Sequence, residues 1–251
     1  MTAAIAAHEL RRLFRSPLAW LALAVAMFVL GLVFLTLTDA YLSVIQPRMA
    51  ARPEATGATD HIAVPLLLWS GIVLLGVVPL LGARSFAEER QRASLQLLLA
   101  APLSAAQVVL GKFAALALFL ALAVALVALL PALLALGTTP DWGRIAAGLL
   151  GLYLLLASYA AAVLYVSALT RTPALAAVGG LGLLLFLAML YAAGNSPAAP
   201  TDLLAHLSHF GHFQPFLEGR VRTEDLAYYG LFTLLFLTLT MRRFERLRAL
   251  P

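Results

Sequence analysis

The sequence contains no cysteine, which removes disulfides, thiol nucleophiles and Cys-ligated metals and leaves the compartment open. Charge is scarce too. Asp, Glu, Lys and Arg make up 12% of the 251 residues, half of the about 25% usual in a soluble domain. The charges that remain avoid the centres of the long apolar runs. A charge at such a centre costs about 2.5–3.5 kcal/mol even on the lenient insertion scale, and ion- or proton-coupled carriers keep them for function. Their absence weighs against self-powered transport. A phosphate-binding loop is missing as well: Gly111-Lys112 has Ala106 five positions earlier and Phe113 after it, where such a loop needs glycine and Ser/Thr. Neither an HExxH pair nor a G-x-S-x-G elbow occurs, so a membrane hydrolase has no motif in its favour.

What is present is apolar. Hydrophobic residues are 63% of the chain and the mean hydropathy is +0.95, which places the chain in a bilayer. A crossing needs about 20 apolar residues to span roughly 30 Å of hydrocarbon. Six runs are candidates: 18–38, 62–83, 105–136 (its membrane part beginning near 110), 143–169, 173–193 and the shorter 226–241. Tyr228 and Tyr229 suit one interface of the last run, and Arg242 and Arg243 suit the other. Gly179, Gly180 and Gly182 in the fifth run offer close helix packing. The whole chain, 1–251, reads as a single membrane domain without internal repeats.

The net charge of +5 is not a nucleic-acid signal, because the basic residues flank apolar runs and no aromatic residues interleave with them. With both termini on one side, that side holds twelve of the seventeen basic residues, leaving Arg48, Arg52, Arg144, Arg220 and Arg222 opposite. Acidic residues show the reverse bias. The positive-inside rule then predicts cytoplasmic termini.

Residues 3–16 form a basic amphipathic pattern. Ile5, Leu10, Leu13 and Phe14 lie towards one side, Arg11, Arg12 and Arg15 towards the other, and Pro17 ends it. Such a helix directly before a span lies in the cytoplasmic interface. A cleaved signal peptide is the competing reading, but the run 18–38 is too long for one and no small-x-small site follows.

The chain is organised around Arg84 to Lys112, a polar, mostly positive interruption between two apolar runs. Read as a helix, 86–100 has Phe86, Leu95, Leu98 and Leu99 at helical spacing, with Glu88, Glu89, Arg92 and Gln96 on other faces. Pro102 stops it, and Ser104 is placed to cap the next helix. Physics alone allows either an interfacial helix or one that docks in a partner's groove.

The residues Phe86-Ala87-Glu88-Glu89-Arg90, Leu95-Gln96-Leu97-Leu98, Ala101-Pro102-Leu103-Ser104 and Leu110-Gly111-Lys112-Phe113 resemble the first cytoplasmic loop of ABC-2 type permeases of ATP-binding-cassette transporters. His8 to Phe14 with Ser16-Pro17 resembles the family's N-terminal segment, and Thr170-Arg171-Thr172-Pro173 one of its cytoplasmic turns. The resemblance implies an all-α permease subunit in the inner membrane. It also implies an N-terminal interface helix, a coupling helix from Glu88 to Leu99 and a substrate moved by ATP hydrolysed elsewhere. Glu88, Glu89, Arg90, Arg92, Leu95 and Leu98 are then the ATPase-docking residues. The implied partners are two copies of an ABC ATPase, a second permease copy or sister permease, and the lipid bilayer, with no nucleic acid and no cofactor.

The last loop, Gly194 to Asp225, stands apart. Phe210, Phe213 and Phe216 fall three apart, the spacing of a short, partly re-entrant helix that buries them at the outer end of the pathway as a gate. His206, His209 and His212 spread over about 120° of such a helix, a face that could share a metal or haem. Gly211 interrupts that face and no carboxylate completes the set, so no metal is assigned; the other reading is a structural loop anchored by aromatic residues. His209-Phe210, Phe213, Phe216, Gly219, Asp225 and Tyr228-Tyr229 resemble the gliding-motility-type branch of ABC-2 permeases. That branch implies an alternative role, in which the subunit transmits ATP-driven motion to an envelope partner or assembles with one.

Overall fold

The computed structural model describes residues 2–49, 57–91, 103–194 and 206–248. The helices that organise them are α1 (Thr2–Phe14), α2 (Pro17–Ala40), α3 (Val64–Gly82), α4 (Arg84–Gln91), α5 (Ala105–Ala132), α6 (Trp142–Leu169), α7 (Pro173–Gly194), α8 (His209–Leu217) and α9 (Thr223–Arg248). No strand occurs among the described residues. Arg92, Leu95, Leu98, Leu99 and Pro102, and hence most of the expected coupling helix, lie outside them.

The helix ends follow local chemistry. Pro17 opens α2 at a position whose N–H would have no intrahelical partner. The helix continues past its expected end at 38 through a π-helical turn, Tyr41–Ile45. Ser104 caps α5 as its sequence predicts: its hydroxyl accepts from the Gln107 amide at 3.1 Å, and the Gln107 side chain accepts from the Ser104 amide at 3.1 Å. Asp141 caps α6 by accepting from the Arg144 amide at 3.0 Å. Pro79 lies inside α3 and removes one ladder bond; the helix breaks at Ala83 and resumes as α4.

Among the described residues five helical segments are long and apolar enough to cross a membrane: Pro17–Ile45, Thr59–Gln91, Ala105–Leu136, Trp142–Leu169 and Pro173–Gly194. The expected sixth crossing, in α9, is not among them, because its apolar run is short and lies between Glu224–Asp225 and Arg242–Arg243.

Helix α6 is the hub. It packs against α3, α4, α5, α7, α8 and α9, and its small residues Gly148, Gly151, Ala157 and Ala160–Ala162 are buried. Small side chains let helix backbones approach where lipid removes the hydrophobic drive for association. Gly179 and Gly180 of α7 do face α6, with Val166 and Val163 at 3.2 and 3.3 Å from a built Cβ, whereas Gly182 meets nothing within 4 Å. Helices α2 and α7 line the periphery and leave residues such as Phe28 and Val178 about 70% exposed (68% and 71%). Apolar faces of that kind suit lipid or another subunit.

Candidate coupling face and outer helix

At the end of the bundle that holds the N-terminus, α1 lies across the start of α5. A Cβ on Gly111 would sit 2.8 Å from Ile5 Cβ, so only glycine permits this crossing. The approach brings Lys112, 3% exposed, against two acids. Its ammonium donates to Glu9 Oε1 of α1 at 2.5 Å and to Glu89 Oε1 of α4. The same ammonium stands 5.2 Å from the centre of the Phe86 ring. Arg12 pairs with the other Glu9 oxygen at 3.3 Å and donates to the Arg84 carbonyl at 3.4 Å. One buried cation and its partners therefore join α1, α4 and α5.

The break at Ala83 leaves the first amides of α4 without helical acceptors. Ser167 of α6 supplies one. Its hydroxyl accepts from the Phe86 and Ala87 amides, each at 3.1 Å, and donates to the Ala83 carbonyl at 2.7 Å. Three residues on, Arg90 donates to the carbonyls of Ala168, Leu169 and Thr170 at 3.2, 3.4 and 3.0 Å. A guanidinium at those carbonyls suits the negative end of the α6 dipole. Helix α4 is thus clamped to the end of α6 at two points.

The sequence-predicted docking residues therefore separate. Glu89 and Arg90 are engaged inside the subunit, Glu88 and the exposed Gln91 face outward beside Arg84, and Arg92, Leu95 and Leu98 lie outside the described residues. Of the interface-helix residues, Arg11 and Arg15 are exposed and Arg12 is half-buried.

At the opposite end, α8 is short, helical and inserted. Ser208 caps it by accepting from the Gly211 amide at 3.1 Å. The exit is a left-handed glycine turn: Gly219, at φ +79, donates to the Phe216 carbonyl and Arg220 to that of Pro215. Phe213 and Phe216 are fully buried and Phe210 nearly so. Phe216 fills the notch over Gly151 of α6, where a Cβ would lie 2.6 Å from its ring. Arg144 donates to the Leu217 carbonyl at 2.8 Å and pairs with Asp60, while Gln214 donates to Tyr191 of α7 at 3.1 Å.

The rings of His206 and His212 meet with centres 5.3 Å apart, but His209 turns to other partners. His212 sets one ring nitrogen 2.6 Å from Asp225 of α9 and the other 2.9 Å from the His206 carbonyl. His209 stacks on Tyr159 of α6, with ring centres 5.3 Å apart, and has Nδ1 3.0 Å from the Tyr228 hydroxyl. Burial pushes the His209 ring down to about 3, and His212 adds to the effect. The His206 side chain is exposed. Among the described residues no three His, Asp or Glu side chains form a metal-ligand set. Their work is to fasten α8 to α6 and α9.

Sequence reasoning missed the Glu9–Lys112–Glu89 cluster and the Ser167 clamp. Gly111-Lys112 stands out in the sequence, but nothing local pairs it with Glu9 across 103 positions. Both ends of the molecule are therefore built around α6: one displays a clamped polar segment, the other an inserted aromatic helix. The family model of the ABC-2 family transporter proteins matches residues 3–247, nearly the whole chain. No individually curated protein matches it significantly. Family membership implies the membrane and an ABC ATPase subunit as partners, in a family whose membrane domains are generally non-catalytic. A chain with five apolar helical segments long enough to cross a bilayer among its described residues, matched over residues 3–247, is a multi-pass membrane subunit and belongs to the ABC-2 family of transporter proteins.

Proposed function

We propose that the chain is one permease half of an ABC-2 transporter of the inner membrane. In this reading α9 is the sixth crossing and both termini are cytoplasmic. The half pairs with a second copy or a sister permease, and two ATPase subunits complete the complex. The ATPase docks on the segment from Glu88 to Leu99 and recognises Glu88, Arg92, Leu95 and Leu98, while Glu89 and Arg90 hold the start of that segment against the bundle. The chain binds no nucleotide itself. The character of the last outer loop favours the gliding-motility-type branch, and the substrate is moved by a shift of the two halves against each other.

The observation that carries this reading is the double clamp of α4 onto α6 by Ser167 and Arg90. A segment pushed by a partner can move the bundle only if it is tied to it. Here the tie reaches the helix that also seats Phe216 at the other end. The aromatic α8 then closes the outer end of the pathway, and Phe210, Phe213 and Phe216 form its gate.

The test is to co-express the chain with its ATPase and compare wild type with Ser167→Ala and Arg90→Gln. Both variants are expected to retain the ATPase on purification but to lose stimulation of ATP hydrolysis by the permease. Full stimulation in both would refute the clamp as the coupling element.

A further inference from the structure

We propose that the junction of α1, α2 and α3 binds one anionic phospholipid per chain, with its phosphate among Arg11, Arg15 and Arg84 and an acyl chain along α2 and α3.

Two adjoining spaces make the case. The first is a cavity of about 460 Å³ at the bend between α1 and α2, lined by Arg11, Arg12, Arg15 and Arg84 with Glu88 as its acid. Its size is ordinary for a ligand site. Arg12 is held in place there by Glu9 and by the Arg84 carbonyl. With Arg12 paired to Glu9, the guanidinium groups of Arg11, Arg15 and Arg84 against the Glu88 carboxylate leave the cavity with an excess of positive charge.

The second space is a groove of about 320 Å³ between α2 and α3 that carries no polar side chain. Leu18 and Leu80 line both spaces, so the basic cavity and the groove adjoin. Leu21, Val25 and Val29 form its α2 wall, and Leu21 and Val25 are 64% and 55% exposed. From Leu18 to Val29 the wall rises roughly 16 Å at 1.5 Å per residue. That is about half of the roughly 30 Å hydrocarbon core, the depth of one leaflet.

Charge and depth together select the occupant. A free phosphate would leave the groove uncovered. An acidic peptide would have to place backbone polar groups in an apolar wall without partners. A membrane lipid with an anionic headgroup fits both spaces at once, and basic pockets between membrane helices are suited to such headgroups.

The test uses the purified full chain, stripped of lipid in neutral detergent. It is titrated with phosphatidylglycerol, phosphatidylcholine or inorganic phosphate, and retained lipid is counted by native mass spectrometry. Wild type is expected to saturate at one phosphatidylglycerol per chain, with phosphatidylcholine weaker and inorganic phosphate unable to displace the lipid. Arg11→Gln with Arg15→Gln should weaken phosphatidylglycerol binding about 30-fold, from about a factor of five per surface arginine. Val25→Phe keeps every arginine but fills the groove, and should also abolish saturable binding. Arg11→Lys with Arg15→Lys should retain it, which separates charge loss from misfolding. Equal affinity for the two lipids, or displacement by inorganic phosphate, would overturn the proposal. So would non-saturating uptake that ignores Val25→Phe, which would mean only a general attraction of α1 to anionic surfaces.

Discussion

Lys112 and Glu9 lie 103 residues apart in the chain and meet at 2.5 Å in the fold, with Glu89 on the other side of the same ammonium. A buried pair of this kind adds little over an apolar replacement of all its members, but removing one member leaves a buried charge unpaired. Lys112→Met should therefore destabilise the subunit by about 3–5 kcal/mol, read by thermal unfolding in detergent. Combining it with Glu9→Gln and Glu89→Gln should restore most of the loss. A Lys112→Met protein that melts like wild type would show that the cluster does not hold α1 and α4.

The Ser167 hydroxyl accepts from the Phe86 and Ala87 amides beside the break at Ala83. Ser167→Ala should cost about 1–3 kcal/mol of local stability for each buried amide left unmet. The loss should appear as faster hydrogen exchange confined to residues 84–91. Unchanged exchange there would mean that another group serves these amides.

Phe216 and Gly151 form a knob and a notch. Gly151→Val should force the ring out and cost about 1–3 kcal/mol by overpacking. Phe216→Ala, which removes the knob, should make the Gly151→Val change cheaper, so the two substitutions will be non-additive in a double-mutant cycle. Strict additivity would separate the two residues and undo the account of how α8 is seated.

His209 supplies a pH dependence with a defined sign. Its ring titrates near 3 in the folded protein and near about 6.5 when unfolded. Below about 6.5 the unfolded state therefore binds the extra proton. The stabilising effect is fully present above that pH and is lost on acidification by up to about 1.4 kcal/mol per pH unit. Between pH 7.5 and 5.5 wild type should lose more thermal stability than His209→Gln. Equal losses would place the titration elsewhere.

Much of this architecture was legible because it is periodic or local. The apolar runs, the Ser104 cap, the basic α1 and the three phenylalanines of α8 each carry their signal within a few residues. The membership of Glu89 and Arg90 in an internal clamp was not legible, since their partners, Lys112 and the last carbonyls of α6, are distant in sequence. As a pattern the histidines suggested one shared face, yet in the fold Asp225 and Tyr228 of α9 engage His212, and Tyr159 and Tyr228 engage His209. No local signal in the sequence gives Gly111 or Gly151 its packing role. Only the fold shows that Ile5 and Phe216 occupy the space a side chain would need.

In the proposed complex the α4 end of the bundle faces the ATPase while the opposite end faces away from it. The cysteine-free sequence allows single reporters at the exposed Gln91 and Thr139, the latter in the turn between α5 and α6. In cells that also produce the ATPase, Gln91→Cys should cross-link to it and resist a membrane-impermeant maleimide. Thr139→Cys should label from outside and form no cross-link. Labelling of Gln91→Cys from outside, with cross-linking through Thr139→Cys, would contradict the account.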